Sequence, residues 1–235
     1  FFSPLNSYLN TYIFLFLLYP VFFSSYKDVA KVFKYSLIIS LIGFTTFILD
    51  TSNRPDAGLY HLPYISILNE SKIIIGTVNL HFRFGHISIL QYLSAIFNNN
   101  IFNENGILIP LTILYSFVLC FFAREVFKKK NEKFIRFFSA LICLWILTSM
   151  NRYSGFGNDD PAHFFYFIAT FYLLKKNILE DITKKFNKIL IFSLYTYMLK
   201  QFFVLACFYP VYFLIKSYKN INLNNLVSFF CCVFF

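Results

Sequence analysis

The residues able to do chemistry fall in two polar stretches and at one isolated lysine. The first stretch runs Asp50-Thr51-Ser52-Asn53-Arg54-Pro55-Asp56-Ala57-Gly58-Leu59-Tyr60-His61-Leu62-Pro63-Tyr64. Pro55 can open a helix at its first position and Pro63 would end or kink one, so Asp56 and Tyr60 lie one turn apart on a shared face. A partly desolvated carboxylate just outside an apolar run can take a proton from a hydroxyl nucleophile, while Tyr60 and His61 hydrogen-bond a polar ligand. An Asp there is also favoured simply by the dipole at a helix N-terminus.

The second stretch, Asn151 to His163, is the densest polar cluster. Asp160 before Pro161 reads as a helix N-cap. Asp159 and His163, four residues apart, offer two ligands on one face for a divalent cation, which is an incomplete set. A polar substrate-binding loop, or capping alone, fits the same residues. Lys200 interrupts the apolar run Ile189 to Ile215, which is short for two full spans and long for one. It is either a buried or snorkelling lysine in one tilted helix, or the turn between two half-spans.

What must position these residues is a hydrophobic scaffold. Of 235 residues, 58% are hydrophobic and 14% charged, with 35 Phe and 17 Tyr. A soluble domain does not carry that balance. Charge-free apolar runs alternate with short Lys-rich segments: Tyr8 to Ser25, Tyr35 to Leu49, Ile107 to Ala123, Phe137 to Met150, Pro161 to Leu174 and Ile189 to Ile215, with a further run beginning near Leu223. The expected fold is an all-α, polytopic transmembrane helical bundle forming a single domain over 1–235. Several runs hold only about 15 residues, roughly 22 Å of helix against about 30 Å of hydrocarbon, so Asp50, Arg152 and Asp160 at their ends would border a recessed polar cavity.

The net charge of +10 reflects topology, not a nucleic-acid surface. Sixteen of the 21 Lys and Arg lie in 27–34, 124–136, 175–188 and 216–219, which are expected inside. All four His and six of the eleven acids then fall outside. Two basic flanks around Ile189 to Ile215 require an even number of crossings, which puts Lys200 at an outer turn. The loop 50–106 becomes a long extracytoplasmic loop. Within it, Asn79, His81, Arg83, His86 and Gln91 interrupt the apolar residues of Ile73 to Phe97 too often for a lipid-facing span, as in interfacial or re-entrant helices. All five Cys lie in apolar runs, so neither a disulfide framework nor a zinc site is expected. No cleavable signal peptide is expected. A start at Phe1 and an end inside an apolar run suggest a piece of a longer protein.

The order of span, short inner loop, span and long outer loop, with Asp56 followed four residues later by Tyr60, resembles the GT-C superfamily of membrane glycosyltransferases. The motif part of the resemblance covers about ten residues, and Ala57 stands where a second acid is common in that family. The resemblance implies sugar transfer from a polyprenyl-phosphate-linked donor to a cell-envelope glycan or lipid acceptor, on the outer face of a bacterial inner membrane. It implies Asp56 as base, Arg83, His81 or Lys200 at the donor phosphate, and Asp159, Asp160 and His163 orienting sugar or a divalent cation. Arg83 and His81 would equally suit an interfacial helix facing headgroups. Acids and a Lys around an outward cavity would also serve a transporter or flippase of lipid-linked glycans, although charges at helix ends and the lack of an internal repeat are unlike one. A structural or assembly subunit is the third reading. No phosphate-binding Gly-rich loop, serine elbow or zinc-protease motif occurs.

Overall fold

The computed structural model describes residues 4–23, 26–49, 55–72, 74–85, 88–149, 155–175 and 182–217. Every element among them is helical and none is a strand, so the all-α expectation holds. Asp50, His86, Arg152 and the run near Leu223 lie outside the described residues.

The helices are α1 (Ser7–Phe23), α2 (Tyr26–Leu49), α3 (Leu62–Glu70), α4 (Ile89–Phe97), α5 (Ile109–Phe127), α6 (Lys133–Thr148), α7 (Asp159–Leu174), α8 (Ile182–Leu199) and α9 (Phe208–Ser217). The apolar runs read from the sequence therefore coincide with helices. One of them, extended back through a tight turn to Asn103–Phe127, is long and apolar enough to cross a membrane by length and composition. Ser7–Leu18, Phe33–Thr45 and Gln201–Ser217 are shorter apolar helices. Charges inside the first turns of α6 and α8, such as Arg136 and Lys185, cut the apolar length of those helices below a full span.

The main core joins α2, α5, α6 and α7 through Phe47, Val118, Phe122, Ile135, Ile146 and Phe164, all nearly inaccessible. Edge-to-face packing of Phe122 on Phe171, with centroids 5.9 Å apart, ties α5 to α7. The α2 and α5 backbones approach closely because small residues face each other. Gly43 lies against the Tyr115 ring, and the Ser40 and Ser116 hydroxyls share a 2.8 Å hydrogen bond. Outward-facing Phe16, Leu41, Phe117, Leu144 and Ile215 are exposed on five different helices. Such a surface is costly in water and costless against lipid.

A second, smaller core joins α1, α3 and α4. Its latch is polar. The Asn10 amide donates to the carbonyls of Leu5, Ala95 and Asn98 at 2.6–3.0 Å, and Asn69 donates to Leu5 and Ala95. Carbonyls left open at the start of α1 and the end of α4 are thereby satisfied. Gly106 is obligatory where α4 meets the turn before α5, since a Cβ there would sit 1.9 Å from the Phe97 carbonyl oxygen.

The bundle has two chemically distinct ends. At one, Glu125 of α5 pairs with Lys175, just past α7, at 3.0 Å and with Lys128 at 3.7 Å. At the other, sixteen residues of α7 away, Asp159 begins α7 and meets Lys200. The run Ile189 to Ile215 breaks at Lys200, whose backbone is extended, and resumes through a 3₁₀ turn, Gln201–Cys207, into α9. Lys200 is thus a turn residue, not one inside a single tilted helix. Residues 74–85 hold only two short 3₁₀ turns, Thr77–Asn79 and Phe82–Gly85. The amphipathic reading of Ile73 to Phe97 applies to its last part, α4.

Candidate functional site

A cavity of 310 Å³ opens at the end where α7 begins. Five separate segments build it, and Gln91 comes from α4. Asp56, Tyr60 and His61 come from the helical turn before α3, Arg83 from a 3₁₀ turn, Asp159 and Asp160 from the first turn of α7, and Lys200 from the break after α8. Seven of the residues singled out in the sequence are therefore brought together.

Pro63 neither ends nor kinks its helix. It occupies the opening of α3, and the preceding turn, Ala57–His61, widens into a π-helix in which the Leu62 N–H reaches the Ala57 carbonyl. The wider turn removes the clash that a proline ring makes with the carbonyl four residues back. It also presents Tyr60 and His61 side by side, with ring centroids 4.2 Å apart.

Tyr60 is the structural pivot. The Arg83 guanidinium donates to its hydroxyl at 3.1 Å and lies over its ring at 4.7 Å. Burial pushes the Tyr60 phenol up, the Asp56 carboxylate adds to that, and Arg83 opposes it. The hydroxyl therefore stays protonated at neutral pH and bridges an acid and a cation. His61 is buried, and burial holds its imidazole down at about 4 against the smaller pull of Asp56. It is neutral at physiological pH. The Gln91 amide nitrogen lies 3.5 Å from His61 Nδ1, which assigns Nδ1 as acceptor and leaves the proton on Nε2, the atom facing Gly157.

Lys200 and Asp159 form an ion pair in direct contact. Burial lowers the Lys200 ammonium, and Arg83 lowers it further. The cap of α7 falls on Asn158, two residues before the expected Asp160, and Asp159 and Asp160 occupy the first turn. Asp160 is buried there, where the helix dipole favours a carboxylate.

Two expected residues stand behind the site. His81 stacks on Tyr60 with centroids 6.0 Å apart and accepts the Arg83 backbone N–H at 3.3 Å. His163 donates to the Asp159 carbonyl at 2.7 Å, and its ring lies between Trp145 and Phe203 at 5.3 and 4.8 Å. The Asp159 carboxylate thus holds Lys200, and the His163 ring packs against aromatic side chains. Among the described residues no three of His, Cys, Asp and Glu gather as a metal set. Sequence reasoning missed Asn158 as a cavity residue and passed over Gln91, both buried with amide oxygens lacking partners. A Gln on the buried face of α4, beside Leu90, Ser94 and Ala95, was the available signal.

A larger cavity of 760 Å³ lies on the other side of α3 and carries Glu70 and Glu104 with no Lys or Arg. It offers nothing to a phosphate. Arg83 and Lys200 face the smaller one.

Residues 1–235 match the model of a family described as a domain of unknown function, DUF8201. The chain belongs to the DUF8201 family. No curated protein and no solved structure matches it. The chemistry of this DUF8201 chain thus rests on its own residues.

Proposed function

We propose that the chain is a polytopic membrane glycosyltransferase of the GT-C type, resident in a bacterial inner membrane. It transfers sugar from a polyprenyl-phosphate-linked donor to a glycan or lipid acceptor of the cell envelope, on the outer face. One observation carries the reading: Asp56, Arg83, Asp159 and Lys200, from four distant segments, face one cavity. That cavity lies at the end of the bundle opposite the Lys-rich turns, where positive-inside topology puts the outside. At 310 Å³ it falls at the small end of ligand pockets, about 300–1,000 Å³.

In this reading the exposed Asp56 carboxylate takes the proton of the acceptor hydroxyl as that oxygen bonds to the anomeric carbon. The bond from that carbon to the phosphate oxygen breaks, and its electron pair leaves with the polyprenyl phosphate. Lys200 and Arg83 stabilise the departing anion. Attack opposite the leaving group inverts the anomeric centre. Tyr60 holds Arg83 in place through its hydroxyl and its ring. Exposed apolar side chains on α1, α2, α5, α6 and α9 support a lipid environment through which the prenyl tail reaches the site.

The test is release of free polyprenyl phosphate from radiolabelled polyprenyl-phosphate sugars by purified protein in nanodiscs, with envelope glycan as acceptor and no gradient. Transfer and release in equal amounts are expected. Binding of the donor without turnover, and movement of it across liposome membranes, would instead support the transporter reading.

A further inference from the structure

The cavity has two chemically different sides. Asp56, Arg83, Asp159 and Lys200 are charged and solvent-accessible, whereas Gln91, Asn158 and His61 are neutral and buried, with 5%, 9% and 6% of their surfaces exposed, next to the buried acid Asp160. The neutral side is unfinished. Gln91 Oε1 and Asn158 Oδ1 are fully buried oxygens with no hydrogen-bond partner. Leaving one such acceptor unfilled is costly, and native structures do so rarely.

Asn158 makes this specific. It stands at the N-cap of α7, where an Asn normally folds back onto the helix N–H groups, yet its side chain makes no capping bond. The amide forgoes its local partner and lines the cavity instead. Gln91 has a similar history on α4. Its nitrogen is anchored at His61 while its oxygen is left over. With Nδ1 engaged by Gln91, His61 offers an Nε2 proton. Beside the buried Asp160 carboxylate, Gln91, Asn158 and His61 thus present two acceptors and one donor, all three side chains uncharged. A hydroxyl both donates and accepts, and several on one ring would fill such a set. A phosphodiester bears no donor at neutral pH and would not.

We propose that Gln91, Asn158 and His61 form a neutral subsite that reads the hydroxyl groups of an uncharged polyol, held against an anion read by Arg83 and Lys200. In the glycosyl-transfer reading, on which this rests, the polyol is the donor sugar and the anion its phosphate. Gln91 and Asn158 then set which sugar is accepted.

The experiment measures binding to purified protein in nanodiscs by competition with fluorescent undecaprenyl phosphate. The competitors are bare undecaprenyl phosphate, its glucosyl, galactosyl, mannosyl and arabinosyl conjugates, and single-deoxy analogues of the tightest conjugate. At least one conjugate is expected to bind about tenfold tighter than the bare lipid. At least one deoxy analogue should lose about fivefold or more, the size of an unfilled buried acceptor. Gln91→Leu and Asn158→Leu should each erase most of the conjugate's advantage and leave the bare lipid within about twofold, which also reports that the fold is intact. If the bare lipid binds and no sugar or hydroxyl changes affinity, the subsite is overturned and the anion site stands. That result needs only the natural protein. If neither the bare lipid nor any conjugate binds, the glycosyl-transfer reading falls and takes this inference with it.

Discussion

The Lys200 ammonium and the Asp159 carboxylate meet at the mouth of the cavity, joining the break after α8 to the first turn of α7. The pair is partly exposed, with 32% and 53% of the two side chains accessible, so its contribution to stability is small. Its position matters more. Asp159 holds the lysine beside a cavity that also receives Arg83, which, after burial, lowers the proton affinity of the Lys200 ammonium.

That arrangement separates a structural pair from a functional one. Lys200→Met is expected to lower transfer about 100-fold or more, the usual cost of removing a group that stabilises a developing anion. The exchanged variant, Lys200→Asp with Asp159→Lys, restores the ion pair and should restore thermal stability. It should not restore turnover, because the charge is displaced to the other element. Full activity in the exchanged protein would reduce the pair to a clasp.

Tyr60 holds Arg83 in two ways, and they can be pulled apart. Tyr60→Phe removes the 3.1 Å hydrogen bond from Arg83 and the hydroxyl's bond to Asp56, and keeps the ring under the guanidinium. A loss of about tenfold in kcat/KM is expected, matching two hydrogen bonds of about 0.5–1.5 kcal/mol each, only partly realised in the transition state. Tyr60→Ala removes both contacts and should cost substantially more. Equal effects of the two variants on initial rates would mean that the hydroxyl itself is the essential group.

His61 predicts an acid limit to stability. Its folded-state value of about 4 lies below the ordinary 6.5, so between those values the unfolded chain binds the proton and the folded chain does not. The stabilisation is complete above about pH 6.5 and is lost as pH falls towards 4. At pH 5 the loss should be on the order of 2 kcal/mol. Thermal unfolding in detergent at pH 7.5 and pH 5 measures it. His61→Gln, which keeps a polar side chain but does not titrate, should flatten the difference; an unchanged pH dependence would assign it to other groups.

Much of the helical fold was legible because apolar runs bounded by lysines admit few alternatives, and the runs coincide with α1, α2 and α5 to α9. Lys200 could be placed at a turn because the charges flanking its run demand an even number of crossings. Asp56, Tyr60 and Arg83 could be suspected, since carboxylate, phenol and guanidinium stand out in an apolar chain. What could not be read was the company each keeps. The π-turn before Pro63 depends on a backbone clash that residue spacing does not reveal. His163 carries the type and spacing of a metal ligand, and its packing between Trp145 and Phe203 could not be read from spacing. Gln91 and Asn158 looked like ordinary helix and loop residues, and only burial without a partner distinguishes them.

If Asp56 is the base of a glycosyl transfer, Asp56→Asn in the purified protein must remove turnover. Asparagine preserves shape and removes the proton acceptor. Transfer from polyprenyl-phosphate sugar is expected to fall by at least about 100-fold, while donor binding and thermal unfolding remain close to those of the natural protein. Transfer at the natural rate in a folded Asp56→Asn protein would contradict that role.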